Sequence, residues 1–481
     1  MLFRMLYDDK LAQAAYLIGC QRTGEALLID PERDIDRYLD AARREGVRIV
    51  AVAETHIHAD FLSGARELAE RVGAHLYLSG EGGDDWSYRW LDRKSDGGTY
   101  PHTLLHDGTT FRVGNIEVKA MHTPGHTPEH MSFVVTDIGG GASDPIGIAT
   151  GDFVFVGDVG RPDLLESAAG AAGVAVPSAE LLFDSLRRFD DLPEYLQVWP
   201  GHGAGSACGK ALGAVPQSTV GYERRMNAAL DAAHGERNAF VTMILDGQPE
   251  PPLYFGRMKR ENREGPALLG ALPQPRRIDA DELPSALTNV VVVDTRPWGA
   301  FRDGHLEGSL HAPLTKSFPT IIGSYLRPEE DVILIVEENL VAEAVTDMVR
   351  IGLDRVVGYV SPDDLRLVDG QVVSMATSRE IDAVDFIDMP AGDVGVVLDV
   401  RGAAEFGAGH RPGALNIPHT RLADRLDELP ADGSPLFVYC QAGARSAAAT
   451  AFLETRGYQP INVAGGYEKL AEVAAAVGAP A

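Results

Sequence analysis

Two sets of residues in this chain have types and spacings suited to chemistry. The first begins with Thr55-His56-Ile57-His58-Ala59-Asp60-Phe61. It continues with His126 in Thr123-Pro-Gly-His126-Thr, Asp152 in Thr150-Gly-Asp152 and His202 in Pro200-Gly-His202-Gly. Imidazole and carboxylate are natural donors for a borderline divalent metal. A single histidine is more often an ordinary buried side chain, but four such motifs, three of them beside glycine, point to a shared metal. The second set is Cys440-Gln-Ala-Gly-Ala-Arg445-Ser446. Free cysteine is commonly an inert core thiol. Here it stands between an apolar run and a helical stretch, where loop N–H groups and a helix N-terminus favour thiolate and can cradle an anionic persulfide or sulfite. Arg445 adds a fixed positive charge.

These residues need elements to hold them. Apolar, β-rich runs at Ile49–Ala53, Ile116–Met121, Val291–Asp294, Val396–Asp399 and Leu436–Tyr439 read as strands, and Ile35–Glu45 and Ser446–Arg456 as helices. Strands alternating with helices predict α/β layering, and loops leaving one sheet edge can converge on a metal. The Pro-, Gly- and Leu-rich stretch Glu264–Arg277 reads as a linker. Beyond it the chain repeats. Val291-Val-Val-Asp-Thr-Arg296 is echoed by Val396-Val-Leu-Asp-Val-Arg401, Gly304-His305 by Gly409-His410, and Ile351-Gly352-Leu353 by Arg456-Gly457-Tyr458. The period of about 105 residues is longer than that of solenoid repeats and indicates two tandem domains. In the first copy Val332–Val336 runs into Glu337-Glu338-Asn339. Allowing a small gap, Glu337 falls where the cysteine should be, and no arginine follows. This copy is read as a silent spacer or interface.

With 481 residues, two to four domains are expected. A net charge of −27 repels phosphate backbones and argues against nucleic acid. No apolar run reaches the roughly 18 residues of a membrane span, and the first residues lack the pattern of a secretory signal. Three cysteines are no disulfide framework, so a cytoplasmic location is expected. Cys20, in Tyr-Leu-Ile-Gly-Cys, reads as a core residue.

Over roughly residues 1–260 the metal motifs resemble the metallo-β-lactamase superfamily. There the first motif usually continues with a histidine that helps hold a second metal, and here Phe61 takes that place. The strings THIHADFLSG, HTPGHTPEH, TGDFVFVGDVGRPDL and PGHGAGSACGK look like persulfide dioxygenases that carry rhodanese domains. Residues 376–481 resemble rhodanese. The resemblance implies an α/β multidomain fold: a metallo-β-lactamase αββα sandwich over 1–263, an inactive rhodanese-like domain over 276–372 and a rhodanese sulfurtransferase domain over 376–481. It implies one Fe(II), held by His56, His126 and Asp152, and no organic cofactor. His58, Asp60 and His202 match superfamily ligand positions and stand beside the iron, or bind metal directly. Val159 lies where related dioxygenases often have cysteine, and Arg161 and Asp163 form a structural pair. Cys208 is either a plain buried thiol or a persulfide-handling residue. Arg401 and Glu405 match scaffold positions, and Arg411 replaces a more usual apolar residue. The implied reaction oxidises a low-molecular-weight persulfide with O₂ to sulfite, with Cys440 and Arg445 passing sulfane sulfur to sulfite to give thiosulfate. A homo-oligomer, dimer or tetramer, is implied too. Two rivals stand beside this reading: a zinc-dependent thioester hydrolase of the glyoxalase II type with an appended sulfurtransferase, and a sulfur carrier whose metal unit is only structural.

Overall fold

A computed structural model describes residues 1–167, 173–279, 281–365, 373–389 and 395–477. The chain divides into two compact units, one of Met1–Ala271 with Val349–Ile351, the other of Leu272–Met348 with Gly352–Ala481. Among the described residues no helix is long and apolar enough to cross a membrane.

The first unit is built on two six-stranded sheets. One runs in the order Leu2–Asp8, Gln13–Cys20, Glu25–Ile29, Arg48–Ala53, His75–Ser79, His102–Leu105. The other runs Ser218–Thr219, Gln197–Pro200, Gly147–Gly151, Met131–Thr136, Ile116–His122, Thr110–Val113. Gln13–Cys20 is buried on both faces. Ala14, Tyr16 and Ile18 point into the seam between the sheets, against Phe133, Val135 and Trp199. Ala15 and Leu17 point the other way, toward Tyr38 and Ala42 of the helix Asp36–Arg44 and Leu68 of the helix Ala65–Val72. This alternation is the two-residue period of a strand buried on both sides. The second sheet's outer face packs Ile148 and Val198 against Leu182, Leu186 and Phe240 of the helices Ala175–Phe189 and Arg237–Leu245. Helix, sheet, sheet and helix are thus stacked as an αββα sandwich, the metallo-β-lactamase fold.

The second unit contains two five-stranded, all-parallel sheets of one topology. The first has the order Arg276–Arg277, Val356–Val360, Val332–Ile335, Val291–Asp294, Leu310–His311. The second has Arg379–Ile381, Gln459–Val463, Pro435–Tyr439, Val396–Asp399, Leu415–Asn416. The last two residues of the expected linker, Arg276 and Arg277, are an edge strand, paired with Gly358 and Tyr359. The boundary expected near residue 372 lies outside the described residues.

Candidate metal centre and cysteine loop

Three strands end at one place in the first unit. Arg48–Ala53 delivers His56, Gly147–Gly151 delivers Asp152, and the turn after Ile116–His122 delivers His126. The ligand-type atoms of these three side chains lie within 4.8 Å of one another, and all three residues are buried. Each histidine is held in one tautomer. His126 Nδ1 donates to the Arg161 carbonyl at 3.0 Å, which leaves its Nε2 lone pair 3.5 Å from Asp152 Oδ2. His56 Nδ1 lies 2.9 Å from Thr55 Oγ1, whose own proton goes to Asp30 Oδ2 at 2.8 Å. The imidazole must therefore be the donor, and its Nε2 is free. Burial, followed by the neighbouring rings of His58, His126 and His130, holds His56 well below the usual histidine range. Burial also lowers His126. Both rings are thus neutral, the form a metal needs.

Asp152 completes the set. Neither carboxylate oxygen accepts a hydrogen bond although the residue is 1% exposed. A buried carboxylate with no donor is costly unless a cation meets it. Two neutral imidazoles and this carboxylate fit a divalent transition metal. The close approach depends on glycine. A Cβ on Gly160 would run into the Asp152 carbonyl oxygen, and one on Gly201 would lie 2.8 Å from Asp152 Oδ1.

The other superfamily positions fall into two further buried clusters. Asp60, His202 and Cys208 form one, and Asp30, Glu54 and His58 the other. His202 Nδ1 donates to the Ala12 carbonyl, and Nε2 faces Asp60 at 3.2 Å and Asp152 at 3.5 Å. Burial would depress this ring, but Asp152, Cys208 and Asp60 outweigh it and hold it well above the usual range. Burial, then the Asp152 and Asp60 charges, pushes the Cys208 thiol up to about 12, the behaviour of a protonated buried thiol. The His58 ring lies 4.2 Å from the His56 ring, its Nε2 standing 3.2 Å from both Asp30 and Glu54. The Phe61 ring lies 4.3 Å from the His58 ring. Val159 is buried, and Arg161 binds Asp163 through two nitrogens while also holding the Ala207 and Pro249 carbonyls. Cys20 lies in the core between the sheets.

Sequence reasoning missed Asp30, Glu54, Thr55 and His130. His130 Nε2 accepts the Asp152 N–H at 3.0 Å, and its Nδ1 donates to Thr123. The only signal for Asp30 was one acid at the end of the apolar run Ala26-Leu-Leu-Ile29.

In the second unit Cys440 follows the strand Pro435–Tyr439 and is 1% exposed. Gly443 adopts a φ of +102° and donates its N–H to the sulfur at 3.1 Å, just before the helix Ala444–Thr455. Arg445 is not a free charge. It makes two bonds to Glu405, at 2.6 and 2.7 Å, so Glu405 serves the cysteine loop as well as the scaffold. Burial opposes the Arg445 charge, but Glu405 and the nearby Cys440 outweigh it. Arg401 donates to Gln441 within the loop and is paired with Asp399. Arg411 lies 4.5 Å over the Phe386 ring.

The first copy differs from the sequence expectation. Val291 pairs with Val332 as Val396 pairs with Leu436, so Val336 occupies the place of Cys440, not Glu337. A one-residue gap in the repeat therefore lies before this strand.

The metallo-beta-lactamase superfamily model matches residues 8–202, and the rhodanese-like domain model matches residues 382–472. A probable metallo-hydrolase of Burkholderia pseudomallei is 31% identical over 225 residues, 41% of this chain and 70% of that protein. A probable polyketide biosynthesis zinc-dependent hydrolase, BaeB of Bacillus velezensis, is 25% identical over 45% of this chain and 84% of its own length. The crystal structure of a metallo-beta-lactamase from Staphylococcus aureus subsp. aureus COL is 40% identical, with a TM-score of 0.67, covering 75% of this chain and 99% of that one.

Proposed function

Because the chain belongs to the metallo-beta-lactamase superfamily and also carries a rhodanese-like domain, we propose that it oxidises low-molecular-weight persulfides with O₂ to sulfite at a single Fe(II), and that Cys440 transfers sulfane sulfur to give thiosulfate. The observation that carries the reading is the donor set itself. His56 and His126 present bare Nε2 atoms beside a carboxylate that accepts no hydrogen bond. Two histidines and one carboxylate on one side are the donor set of non-haem Fe(II) oxygenases. A ferrous ion held there by His56, His126 and Asp152 would supply the redox chemistry that joins a sulfur anion to dioxygen. The residues around it do the rest. Thr55 and the Arg161 carbonyl keep the rings oriented. Buried apolar neighbours such as Phe61 and Val159 limit water.

The overall change is R–S–SH + O₂ + H₂O → R–SH + SO₃²⁻ + 2 H⁺. In the second unit the Cys440 thiolate attacks the terminal sulfur of a persulfide and releases the thiol R–SH. Sulfite then attacks the terminal sulfur of Cys440–S–S⁻, the S–S bond to Cys440 breaks, and thiosulfate leaves with the thiolate restored. The Gly443 N–H bonds the sulfur through which this charge passes. In this reading the chain works as three modules, 1–263, 276–372 and 376–481, and the middle one is silent.

A second reading, a zinc-dependent thioester hydrolase, is favoured by the names of the relatives and by the Asp60, His202 and Cys208 cluster beside Asp152. One experiment separates them. Iron-loaded protein is given a panel of persulfides while oxygen uptake, sulfite and thiosulfate are followed. His126→Ala should abolish oxygen uptake and sulfite while sparing transfer through Cys440. Oxygen-independent thioester hydrolysis by protein carrying two zinc ions would overturn the dioxygenase reading.

A further inference from the structure

Asp30 stands at the end of the strand Glu25–Ile29, outside the three-residue donor set, and its carboxylate reaches both Thr55 and His58, which bracket His56 in the chain. Its backbone takes a φ of +51°, a conformation side-chain-bearing residues seldom adopt and one that costs free energy unless its surroundings enforce it. Here they do. The Asp30 N–H donates to the Ala53 carbonyl at 3.0 Å, and the Asp30 carbonyl accepts from Gln13 Nε2 at 2.7 Å. The carboxylate so fixed makes three contacts. Oδ1 accepts the Thr55 N–H at 2.7 Å and lies 3.2 Å from His58 Nε2. Oδ2 accepts the Thr55 hydroxyl at 2.8 Å.

We propose that Asp30, acting through Thr55, is the positioning residue of His56: it fixes the tautomer and rotation that present His56 Nε2 to the ion. The proposal rests on the reading that His56 is a metal ligand, and not on which metal is bound or which reaction follows.

The chain of contacts has no slack. With its proton committed to Asp30, the Thr55 oxygen can only accept from His56 Nδ1, which fixes that ring's tautomer and rotation. Thr55 cannot retreat, because its carbonyl accepts the Met131 N–H at 2.7 Å. Opposite it stands Gly151, with φ of +50°, where a Cβ would lie 2.5 Å from Thr55 Oγ1. His58 is held from the other side by Glu54, itself fixed by the Ser63 hydroxyl at 2.7 Å, and by the Phe61 ring. A hydroxyl relaying a carboxylate to a metal-bound imidazole orients the ring and raises its basicity, and loss of such partners costs about 10–100-fold in metal affinity.

The test uses the full-length protein and cobalt(II) as the probe. Affinity is measured by competition with a chromophoric chelator, and the visible spectrum of the bound cobalt reports ligand number and geometry. Thr55→Val keeps the shape and removes the relay, and should weaken cobalt binding about 10–100-fold with a changed spectrum. Thr55→Ser keeps the hydroxyl and should restore both. Asp30→Asn suits the left-handed backbone, which asparagine tolerates well. It should weaken binding like Thr55→Val, and it carries the test if the valine variant melts below the assay temperature. Folded Thr55→Val or Asp30→Asn protein with wild-type affinity and spectrum would overturn the proposal. A result favouring zinc hydrolysis would sink the dioxygenase reading and leave this one standing.

Discussion

The two sheets of the second unit make the same contacts in the same places until one residue past a strand, where they part. In the first copy Arg296 grips Asp294 at 2.6 Å and the Gly304 carbonyl at 2.8 Å. In the second, Arg401 grips Asp399 and the Gly409 carbonyl at the same two distances. His305 donates to Phe301 at 2.8 Å with its ring stacked on the phenyl, and His410 treats Phe406 likewise at 2.9 Å. His311 Nε2 donates to the Arg296 carbonyl, and Asn416 bonds the Arg401 carbonyl from the matching strand. After the strand the first copy has buried Val336 and a short 3-10 turn, Glu338–Leu340, where the second has Cys440 and its loop. The buried Asp–Arg pair therefore belongs to the architecture, and the thiol chemistry to a handful of loop residues that can be lost without disturbing it.

The comparison can be tested hardest at the cysteine. Cys440→Ser should cut thiosulfate formation from persulfide and sulfite by at least about a thousandfold. Adding Val336→Cys should restore nothing measurable, because the strand register puts Asn339 and Val341 where the second copy has Gly443 and Arg445. Recovery of activity would show that the first copy keeps latent chemistry. A smaller effect is expected at the shared pair. Arg401→Ala strands Asp399, which is fully buried, and should cost about 3–5 kcal/mol in urea unfolding. Arg296→Ala should cost less, since the Arg296 side chain is 15% exposed and water can reach the site. No loss in either variant would break the equivalence, and equal losses would break the ranking by exposure.

The mildest test is a pH series on His311→Asn. Burial holds His311 down to about 4, below the roughly 6.5 of a free histidine. A depressed histidine favours the folded state above the free value, and that advantage is lost as pH falls through about 6.5 toward 4. Asparagine can donate to the Arg296 carbonyl as Asn416 does to Arg401, without titrating. The variant should match wild type in melting temperature at pH 7 and melt higher at pH 4.5. Parallel melting curves across the range would show that His311 adds no acid sensitivity.

Much of this was legible from the chain. His56, His126, Asp152 and His202 each follow an apolar run, and a buried strand that ends in a ligand-type residue leaves few places for it to go. The repeat showed because the Asp-x-Arg and Gly-His pairs recur at one spacing. What stayed hidden were partnerships between residues distant in sequence. Nothing about Asp30 foretells Thr55 or His58, because they meet only when neighbouring strands pair in register. Glu405 and Arg445, 40 residues apart, read as scaffold and as a fixed charge on the cysteine loop, and they prove to be one ion pair. The place of the missing cysteine was set one residue too late because the gap sits before the strand, which only register reveals.

Gly160 and Gly201 flank Asp152 so tightly that neither has space for even a methyl group. The heritable weak points of the metal pocket therefore include two positions that bear no functional group at all. A lineage could keep every donor atom and still lose the centre through one glycine-to-alanine change, a loss that a tally of ligand residues would not register.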